Sequence, residues 1–426
     1  MKRISSCRSA WIMAAIFILA CGTLSAQQGL TWDQVKARFE ATNPALKADA
    51  DNVDEMRAEE ITAYLRPNPQ LSVTADGTQI APDQGVWEPL AGTYVVPGLS
   101  YLHERDHKRE LRLESAREGT RITEAQHEDL KRNLEFMLRS AFVQTLEAKD
   151  VLGLAREDLS YYDHIIQISQ DRLNAGDIAQ IDFDRIELLR VQYESELETA
   201  VVNLRTAKIQ LLQLMNDRTP VEQFDVTGDF DFSDTLAPLD DFRQTALSAR
   251  PDMQAALETI QQSETNHKLA IANGSADPTL GAWYTWNSSN NNPQGLQTLG
   301  LNVTVPLRVF DRNQGEKKRT QIDIDRSRQA SEATRAQVFS DVDTAYETVR
   351  SNIALLKPYK AKYNDEALRV RDTVSYAYMH GGASLMEFLN AQSDYRQVQL
   401  AYAQLIGSYL TAVGQLNLAC GREVIP

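Results

Sequence analysis

The stretch FLNAQSDYRQVQLAYAQLIGSYLTAVGQL, residues 388–416, decides the fold of this 426-residue chain. Apolar or small residues recur along it in alternating steps of three and four, which is a heptad stripe. Such a stripe predicts one face of a long helix that packs against a partner helix. Its members are Phe388, Ala391, Tyr395, Val398, Tyr402, Leu405, Tyr409, Ala412 and Leu416.

A second stripe lies 205 residues earlier in the chain. Its residues are apolar or small at every place but one, and they are Phe183, Ile186, Arg190, Tyr193, Leu197, Ala200, Leu204, Ala207 and Leu211. Glycine precedes both stripes, at Gly176 and at Gly381 and Gly382. Two stripes in register indicate an internal duplication, and the glycines predict the turn of a helical hairpin in each copy.

The segments before these turns predict very long helices. Residues 106–174 and 312–380 are polar and contain no proline except Pro358. At about 1.5 Å per residue, nearly 70 residues would form a helix of roughly 100 Å, far longer than an ordinary globular helix. We therefore expect helical hairpins at about 106–216 and 312–420.

Alternating apolar and polar residues predict strands ahead of each helical hairpin. The alternation runs through residues 68–80 and 298–307, and 93–102 and 279–286 complete two β-hairpins at about 68–102 and 278–308. Because known single-chain barrels have eight or more strands, a barrel would need several chains that each supply four.

Three aromatic residues flank the polar loop 287–293, and they are Trp283, Tyr284 and Trp286. A transmembrane strand places aromatic side chains at the membrane interface in this way. The alternative is an aromatic edge of a small soluble sheet. Export and strand length favour the membrane interpretation.

The start of the chain predicts export. Basic residues precede the apolar run 10–20, and small residues follow it up to Ala26, which is the layout of a signal peptide over residues 1–26. Cys21 lies in a loose lipoprotein box and is the alternative processing and lipidation site. Once the leader is removed, only Cys420 or an acylated Cys21 with Cys420 remains, so no disulfide framework is available.

Charge and repeat boundaries limit the organisation further. The formal net charge is -15, which argues against nucleic-acid binding because phosphate neutralisation needs clustered basic residues. The first repeat covers 27–216 and the second 242–426. Residues 217–241 are acidic and contain proline, and they predict either a solvated linker or an equatorial segment around the helices.

Several short motifs resemble the TolC family of outer-membrane efflux proteins over essentially the whole mature chain. They are Leu30-Thr31-Trp32-Asp33-Gln34-Val35, Asn43-Pro44-Ala45-Leu46, Pro67-Asn68-Pro69-Gln70-Leu71, Arg250-Pro251-Asp252-Met253 and Asp277-Pro278-Thr279-Leu280. Val305-Pro306-Leu307 followed by Phe310-Asp311-Arg312-Asn313-Gln314-Gly315-Glu316 looks like the strand-to-helix junction of the heavy-metal-efflux branch, the CzcC- and CusC-like proteins.

The resemblance implies a mixed, mainly α fold. In it, three chains form a twelve-stranded transmembrane barrel in the outer membrane, continued by an α-helical tunnel through the periplasm. It implies a passive exit duct with no cofactor, supplied by an inner-membrane pump and a periplasmic adaptor. The adaptor would dock at the hairpin tips around Gly176, Gly381 and Gly382. Metal cations and drugs both remain open as substrates.

The resemblance also implies a gate at these tips. Asp182, which follows Gly176, and Tyr378, three residues before Gly381, match a family pair whose hydrogen bond helps to close the channel. Glu387 and Asn390 fall where the family often places rings of acidic residues that favour cations. The chain departs from the pattern at neutral Asn390 and at Ala383, where some members have arginine.

Two other functions are alternatives. His103-Glu104-Arg105-Asp106-His107 matches the zinc-protease pattern HExxH, in which two histidines on a helix bind zinc and the glutamate activates water. Its charged surroundings just after a strand argue against that activity, and no third ligand is evident. A periplasmic coiled-coil adaptor would explain the helical hairpins but not the duplicated β-hairpins.

Overall fold

A computed structural model describes residues 29–90, 92–287 and 297–425 of the chain. The predicted signal peptide 1–26, Cys21 and most of the polar loop 287–293 lie outside these ranges. The fold is mainly α. Of the helices in the described ranges, none carries an apolar stretch long enough to cross a membrane.

The elements occur in the same order in both halves of the chain. The α-helices are α1 Trp32–Thr42, α2 Pro44–Tyr64, α3 Lys108–Ala175, α4 Gln180–Leu214, α5 Leu239–Ala249, α6 Pro251–Ala272, α7 Gln314–Pro358, α8 Asn364–Met379 and α9 Leu385–Cys420. The strands are β1 Gln70–Asp76, β2 Tyr94–Leu102, β3 Thr279–Asn287 and β4 Gln297–Thr304. In each half, two helices precede a β-hairpin, and a helical hairpin follows it.

The four strands form one antiparallel sheet in the order β1-β2-β3-β4. Directly opposed residues of an antiparallel pair share a face, and the register pairs Leu71 with Leu99, Leu99 with Ala282, and Ala282 with Leu301. One face is therefore apolar or aromatic along all four strands, except at Gln297, which pairs with Trp286 at the start of β4. It carries Leu71, Val73, Ala75, Val95, Pro97, Leu99, Tyr101, Leu280, Ala282, Tyr284, Trp286, Leu299, Leu301 and Val303.

This apolar face is not covered by the chain that forms it. Leu71 and Leu301 are each 76% exposed, and Leu299 is 75% exposed. Within the part of the chain that the structure describes, β1 and β4 each pair with a strand on one side only. An edge strand presents a row of free backbone donors and acceptors, so the sheet offers two open edges as well as an open apolar face.

The described residues divide into two compact units. The first combines residues 29–44, 135–236 and 347–415, and the second combines 45–134, 237–346 and 416–425. These units differ from the sequence repeats 27–216 and 242–426, because each repeat contributes residues to both units. The reason is helix length, since α3 and α7 each begin in the second unit and end in the first.

The heptad stripes supply the core of the first unit. Ile186 and Phe388 are fully buried, one from each stripe. Arg190, the polar exception, places Nε 2.6 Å from Asp163 Oδ1 of α3 and a second nitrogen 3.2 Å from Glu194. An ion pair across the α3–α4 seam therefore replaces the apolar contact at that position.

Proline interrupts the second long helix. The sequence predicts one helix over 312–380, but α7 ends at Pro358 and a π-helix follows over Tyr359–Tyr363 before α8 begins. Proline lacks the N–H that would close its helical hydrogen bond, and its ring crowds the preceding turn. A π-helical turn is one of the recognised ways in which a helix continues past such a disturbance.

Part of the segment 217–241 packs tightly within the first unit. Phe224 and Val226 are buried, and the carboxylate of Asp225 lies 2.7 Å from Lys149 Nζ and 3.1 Å from Lys208 Nζ. The segment is thus anchored to α3 and α4 around Asp225, which a solvated linker would not be.

Candidate functional site at the hairpin tips

The two hairpin turns share one backbone motif. Gly176 and Gly381 have φ values of 81° and 75°, the left-handed conformation that glycine adopts without steric cost. The N–H of Asp177 donates to the carbonyl of Arg172 at 2.8 Å, and the N–H of Gly382 donates to that of Ala377 at 2.7 Å. Both bonds close the last turn of the preceding helix as a Schellman motif. The tips are therefore equivalent in geometry as well as in sequence.

Glu387 caps the start of α9. Its carboxylate accepts hydrogen bonds from the backbone N–H of Ser384 at 2.7 Å and from the Ser384 hydroxyl at 2.8 Å. The N–H of Glu387 in turn donates to Ser384 Oγ at 3.3 Å. This capping box lowers the pKa of Glu387, chiefly through the backbone bond. The pattern Ser-x-x-Glu at residues 384–387 is the sequence signal for this role, which was not among the predictions. Asn390 is exposed one turn further on.

Tyr378 is the centre of the tip core. Only 5% of it is exposed. Its ring stacks on Phe388 with 4.8 Å between centroids, and the Arg172 guanidinium lies 4.9 Å from the ring centre. Arg172 also donates a hydrogen bond of 3.1 Å to the backbone carbonyl of Tyr378. Burial raises the pKa of the Tyr378 phenol. The ring thus connects α3, α8 and α9.

The apolar part of this tip core draws on both hairpins. Ile165, Ile186, Leu385 and Phe388 surround Tyr378 as one buried cluster. Ile165 and Ile186 come from α3 and α4, whereas Leu385 and Phe388 come from α9. Nothing in the local sequence identified Arg172 as a partner of Tyr378, because the two residues are far apart in the chain.

The structure does not join Asp182 to Tyr378. Among the described residues, neither the Tyr378 hydroxyl nor the nearby buried Ser169 hydroxyl has a hydrogen-bond partner. Stacking on Phe388 and Arg172 holds the Tyr378 ring inside the bundle, while Asp182 is half-buried in the first turn of α4. The gate role of this pair stays a prediction.

The three aromatic residues of β3 divide between the two faces of the sheet. Tyr284 and Trp286 lie on the apolar face and are exposed. Trp283 points to the opposite face, because successive residues of a strand alternate. It is paired with Gly98 on one side and Gly300 on the other. Trp283 therefore lies on the opposite face from Tyr284 and Trp286, and the membrane-interface role of the three residues stays a prediction.

The HExxH motif does not lie on a helix. Its residues follow β2 as a loop in which Asp106 and His107 have φ values of 55° and 56°, and α3 begins only at Lys108. Glu104 is bound by Arg112, with 2.9 Å between Oε2 and the guanidinium. The helical spacing that would bring two histidines to one zinc ion is absent here. The described ranges contain no group of three or more side chains arranged to hold a metal.

Comparisons with known proteins relate this sheet and these helical hairpins to outer-membrane efflux proteins. The family model "Outer membrane efflux protein" matches residues 242–422. The chain is similar to the cobalt-zinc-cadmium resistance protein CzcC of Cupriavidus metallidurans, with 21% identity over 92% of this chain and 90% of the relative.

Solved structures agree in fold. CusC matches with a TM-score of 0.77 and 16% identity, over 92% of each chain. The CmeC outer-membrane channel of Campylobacter jejuni matches with a TM-score of 0.74 and 15% identity, over 93% of this chain and 87% of CmeC. The second half of the chain thus matches the outer-membrane efflux family, in agreement with the resemblance that its motifs predicted. Both the matching family and the CmeC structure are named for the outer membrane.

Proposed function

We propose that this chain is the exit duct of a tripartite efflux system and works as a homotrimer in the outer membrane. The observation that carries the proposal is the four-stranded sheet, with its uncovered apolar face and its two unpaired edges. Three copies would contribute twelve strands, enough to close a barrel in which every edge is paired.

The two faces of the sheet suit the two sides of such a barrel. Lipid would cover the face that carries Leu71, Leu299 and Leu301, because apolar side chains cost nothing in hydrocarbon. The other face carries Ser72, Thr74, Ser100, Asn302 and Thr304 among others, and polar side chains suit a water-filled lumen. The proposal therefore assigns a place to both faces.

The hairpin tips would form the periplasmic mouth. Gly176, Gly381 and Gly382 are exposed there and leave bare backbone for a periplasmic adaptor to contact. Asp182, Tyr378, Glu387 and Asn390 would line or control the mouth. The unpaired hydroxyl of Tyr378 supports a site that changes partners, since buried polar groups are normally satisfied.

Metal cations are the substrates we propose. The support is similarity to CzcC, whose name describes cobalt, zinc and cadmium resistance, together with a net charge of -15. Three Glu387 carboxylates around an axis would concentrate negative potential at the mouth. Loss of cobalt, zinc or cadmium tolerance in a deletion strain, with unchanged drug tolerance, would support this choice. The reverse pattern would contradict it.

A pair of neighbouring residues tests the channel itself. Leu301→Arg places a charge on the proposed lipid face, where arginine costs about 2–4 kcal/mol near the membrane midplane. Asn302→Arg places the same charge on the proposed lumen face. We expect Leu301→Arg to abolish trimers in outer-membrane extracts, and Asn302→Arg to keep the trimer but change its ion selectivity in planar bilayers. Equal behaviour of the two variants would refute the assignment of the faces.

A further inference from the structure

Trp283 stands among glycines on the polar face of the sheet. Across the strand pairs its partners are Gly98 on β2 and Gly300 on β4. Along β3 its nearest neighbours on the same face are Gly281 and Thr285, because successive residues of a strand alternate. Three of these four positions carry no side chain, so neighbouring side chains can cover little of the indole.

The indole obtains its burial by lying against the sheet. A Cβ at Gly300 would lie 2.3 Å from Cε2 and Cζ2 of Trp283 and 2.7 Å from Nε1, so the ring occupies the space above β4 that a side chain at position 300 would take. Trp283 is half-buried, whereas Trp286 on the apolar face is 58% exposed. An indole that stood upright among glycines would be as exposed as Trp286. One face of the Trp283 ring therefore lies toward the strand, and the other points away from the sheet.

No cation of the described chain lies over this open ring face. Arginine or lysine lies 4.2 to 5.6 Å from the ring centre of seven other aromatic residues, among them Trp32 and Tyr378. All seven are outside the sheet. Because tryptophan is the best aromatic partner for a cation, the Trp283 ring is a site of this kind that the described chain leaves open.

The charge on the polar face favours a positive ligand. Of the described residues in the four strands, only Asp76 is charged. It lies on the polar face at the end of β1 and accepts a hydrogen bond of 2.9 Å from the Tyr94 hydroxyl. In the proposed barrel, three such carboxylates and no arginine or lysine on the strands would give the lumen a negative potential. That potential attracts cations toward the Trp283 rings and repels anions.

We propose that the open faces of the Trp283 rings form a low-affinity contact site in the barrel lumen for weakly hydrated monovalent cations, such as quaternary ammonium and guanidinium groups. The site rests on the proposed function, because these rings face a lumen only if three sheets close into a barrel. An aromatic face attracts a cation through its quadrupole, but it cannot replace the ligand oxygens of a tightly hydrated divalent ion such as Mg²⁺. The duct would thus contact organic cations as they leave, in addition to the metal cations proposed above.

Fluorescence quenching of the purified protein in phosphatidylcholine vesicles tests this site. The signal of Trp283 is the difference between the unmodified protein and Trp283→Phe. We expect the cation 1-methylnicotinamide to quench this signal about twofold to fivefold more than neutral acrylamide does, once each is normalised to free tryptophan amide, which is the ratio for an exposed cation–π contact. Tetramethylammonium chloride should reverse this excess more than sodium chloride at the same ionic strength. A ratio of one for Trp283 would overturn the site.

Trp286 is the matched control, because it lies on the same strand and the opposite face. The difference between the unmodified protein and Trp286→Phe should show no excess quenching by 1-methylnicotinamide, and brominated acyl chains in the vesicles should quench it. An equal excess at Trp286 would overturn the site.

Asp76→Asn separates the ring from the charge. This variant should lower the excess quenching by removing the negative potential, but tetramethylammonium should still compete better than sodium. Equal competition by the two salts would mean that charge alone attracts the probe, and it would overturn the site. The same competition is measured on the unmodified protein, so its absence there would overturn the site even if Trp283→Phe did not assemble.

Oligomeric state and conductance keep the site and the proposed function apart. If the purified protein stays monomeric, the proposed function fails, and the site fails with it for want of a lumen. If conducting trimers form but brominated chains quench Trp283, the faces of the sheet are wrongly assigned and the site is overturned. If conducting trimers form, brominated chains quench Trp286 but not Trp283, and the excess at Trp283 is absent, the duct stands and the cation site alone fails.

Discussion

The sheet and the hairpin tips handle apolar side chains in opposite ways. At the tips, Phe388 is completely buried by its own chain, whereas Leu301 in the sheet is 76% exposed. The tip core is finished within one chain, but the sheet needs something outside the chain to cover its face and pair its edges. The difference shows that assembly has to act on the sheet, whereas the core around Phe388 is already closed within a single chain.

The largest effect should come from emptying the tip core. Phe388→Ala removes a fully buried ring that stacks on Tyr378, and such truncations cost about 3–5 kcal/mol. We expect the free energy of unfolding of the helical part, followed by circular dichroism at 222 nm, to fall by that amount. Leu188→Ala is the control, because Leu188 is 72% exposed on α4, and a similar loss in the control would refute the comparison.

A smaller loss of stability should follow from a substitution at Gly300, which packs against the Trp283 ring. A Cβ at Gly300 would lie 2.3 Å from ring atoms of Trp283, so Gly300→Ala must move the indole. Overpacking of this kind costs about 1–3 kcal/mol. We expect a shifted tryptophan emission and a trimer that dissociates at lower temperature.

Gly315→Ala is the matched control for Gly300→Ala. Nothing lies within 4 Å of a Cβ at Gly315, and that residue is in the first turn of α7. Alanine there should stabilise the helix by about 0.5–1 kcal/mol. Equal destabilisation by both variants would show that the position of the Trp283 indole does not require a residue without Cβ at position 300.

The capping box of α9 should contribute less than the tip core. Ser384→Ala removes the hydroxyl that caps the helix, at a cost of about 1 kcal/mol. The pKa of Glu387 is lower in the folded chain than its ordinary value, so its stabilisation is complete above the ordinary pKa and is lost as pH falls through the folded one. Thermal melts between pH 3 and pH 7 should show this acid loss in the unmodified protein but not in Glu387→Gln. An acid loss that persists in Glu387→Gln would mean that other carboxylates cause it.

The smallest effect should come from Tyr378→Phe. The hydroxyl has no partner in the described chain, so its removal should change the free energy of unfolding by less than about 0.5 kcal/mol, while the ring still stacks. A loss above about 1 kcal/mol in the trimer would show that assembly supplies a partner. Asp182→Ala combined with Tyr378→Phe should then raise conductance, as a gate formed by both residues predicts.

Periodicity was sufficient to predict the local elements. Alternation located the strands, and the two heptad stripes predicted the buried faces of α4 and α9, including Ile186 and Phe388. Tip glycines at 176 and 381 marked both turns because their backbone conformation excludes most other residues. These features depend on residues that are close in sequence.

Contacts between residues that lie far apart in the chain could not be predicted from the sequence. The pairing of β2 with β3 connects the two repeats, and no local pattern specifies it. Arg172 meets Tyr378 and Arg396 meets Asp158 only after four helices have packed. Pro358 was visible in the sequence, but neither the end of α7 at this residue nor the π-helical turn over Tyr359–Tyr363 was predicted from it.

The central claim is that neighbouring chains complete the sheet. Cross-linking of the two edge strands, β1 and β4, tests this claim most directly. The test introduces two cysteines into one chain, one in β1, such as Thr74→Cys, and one in β4, such as Asn302→Cys. The double variant would be oxidised in isolated outer membranes, and its chains would then be separated by size under denaturing, non-reducing conditions. The remaining Cys420 is buried and should stay unreacted. We predict a covalent ladder that ends at three chains for the correctly registered pair, and none for either single variant. Monomers in every pair, or ladders that continue beyond three, would contradict the account.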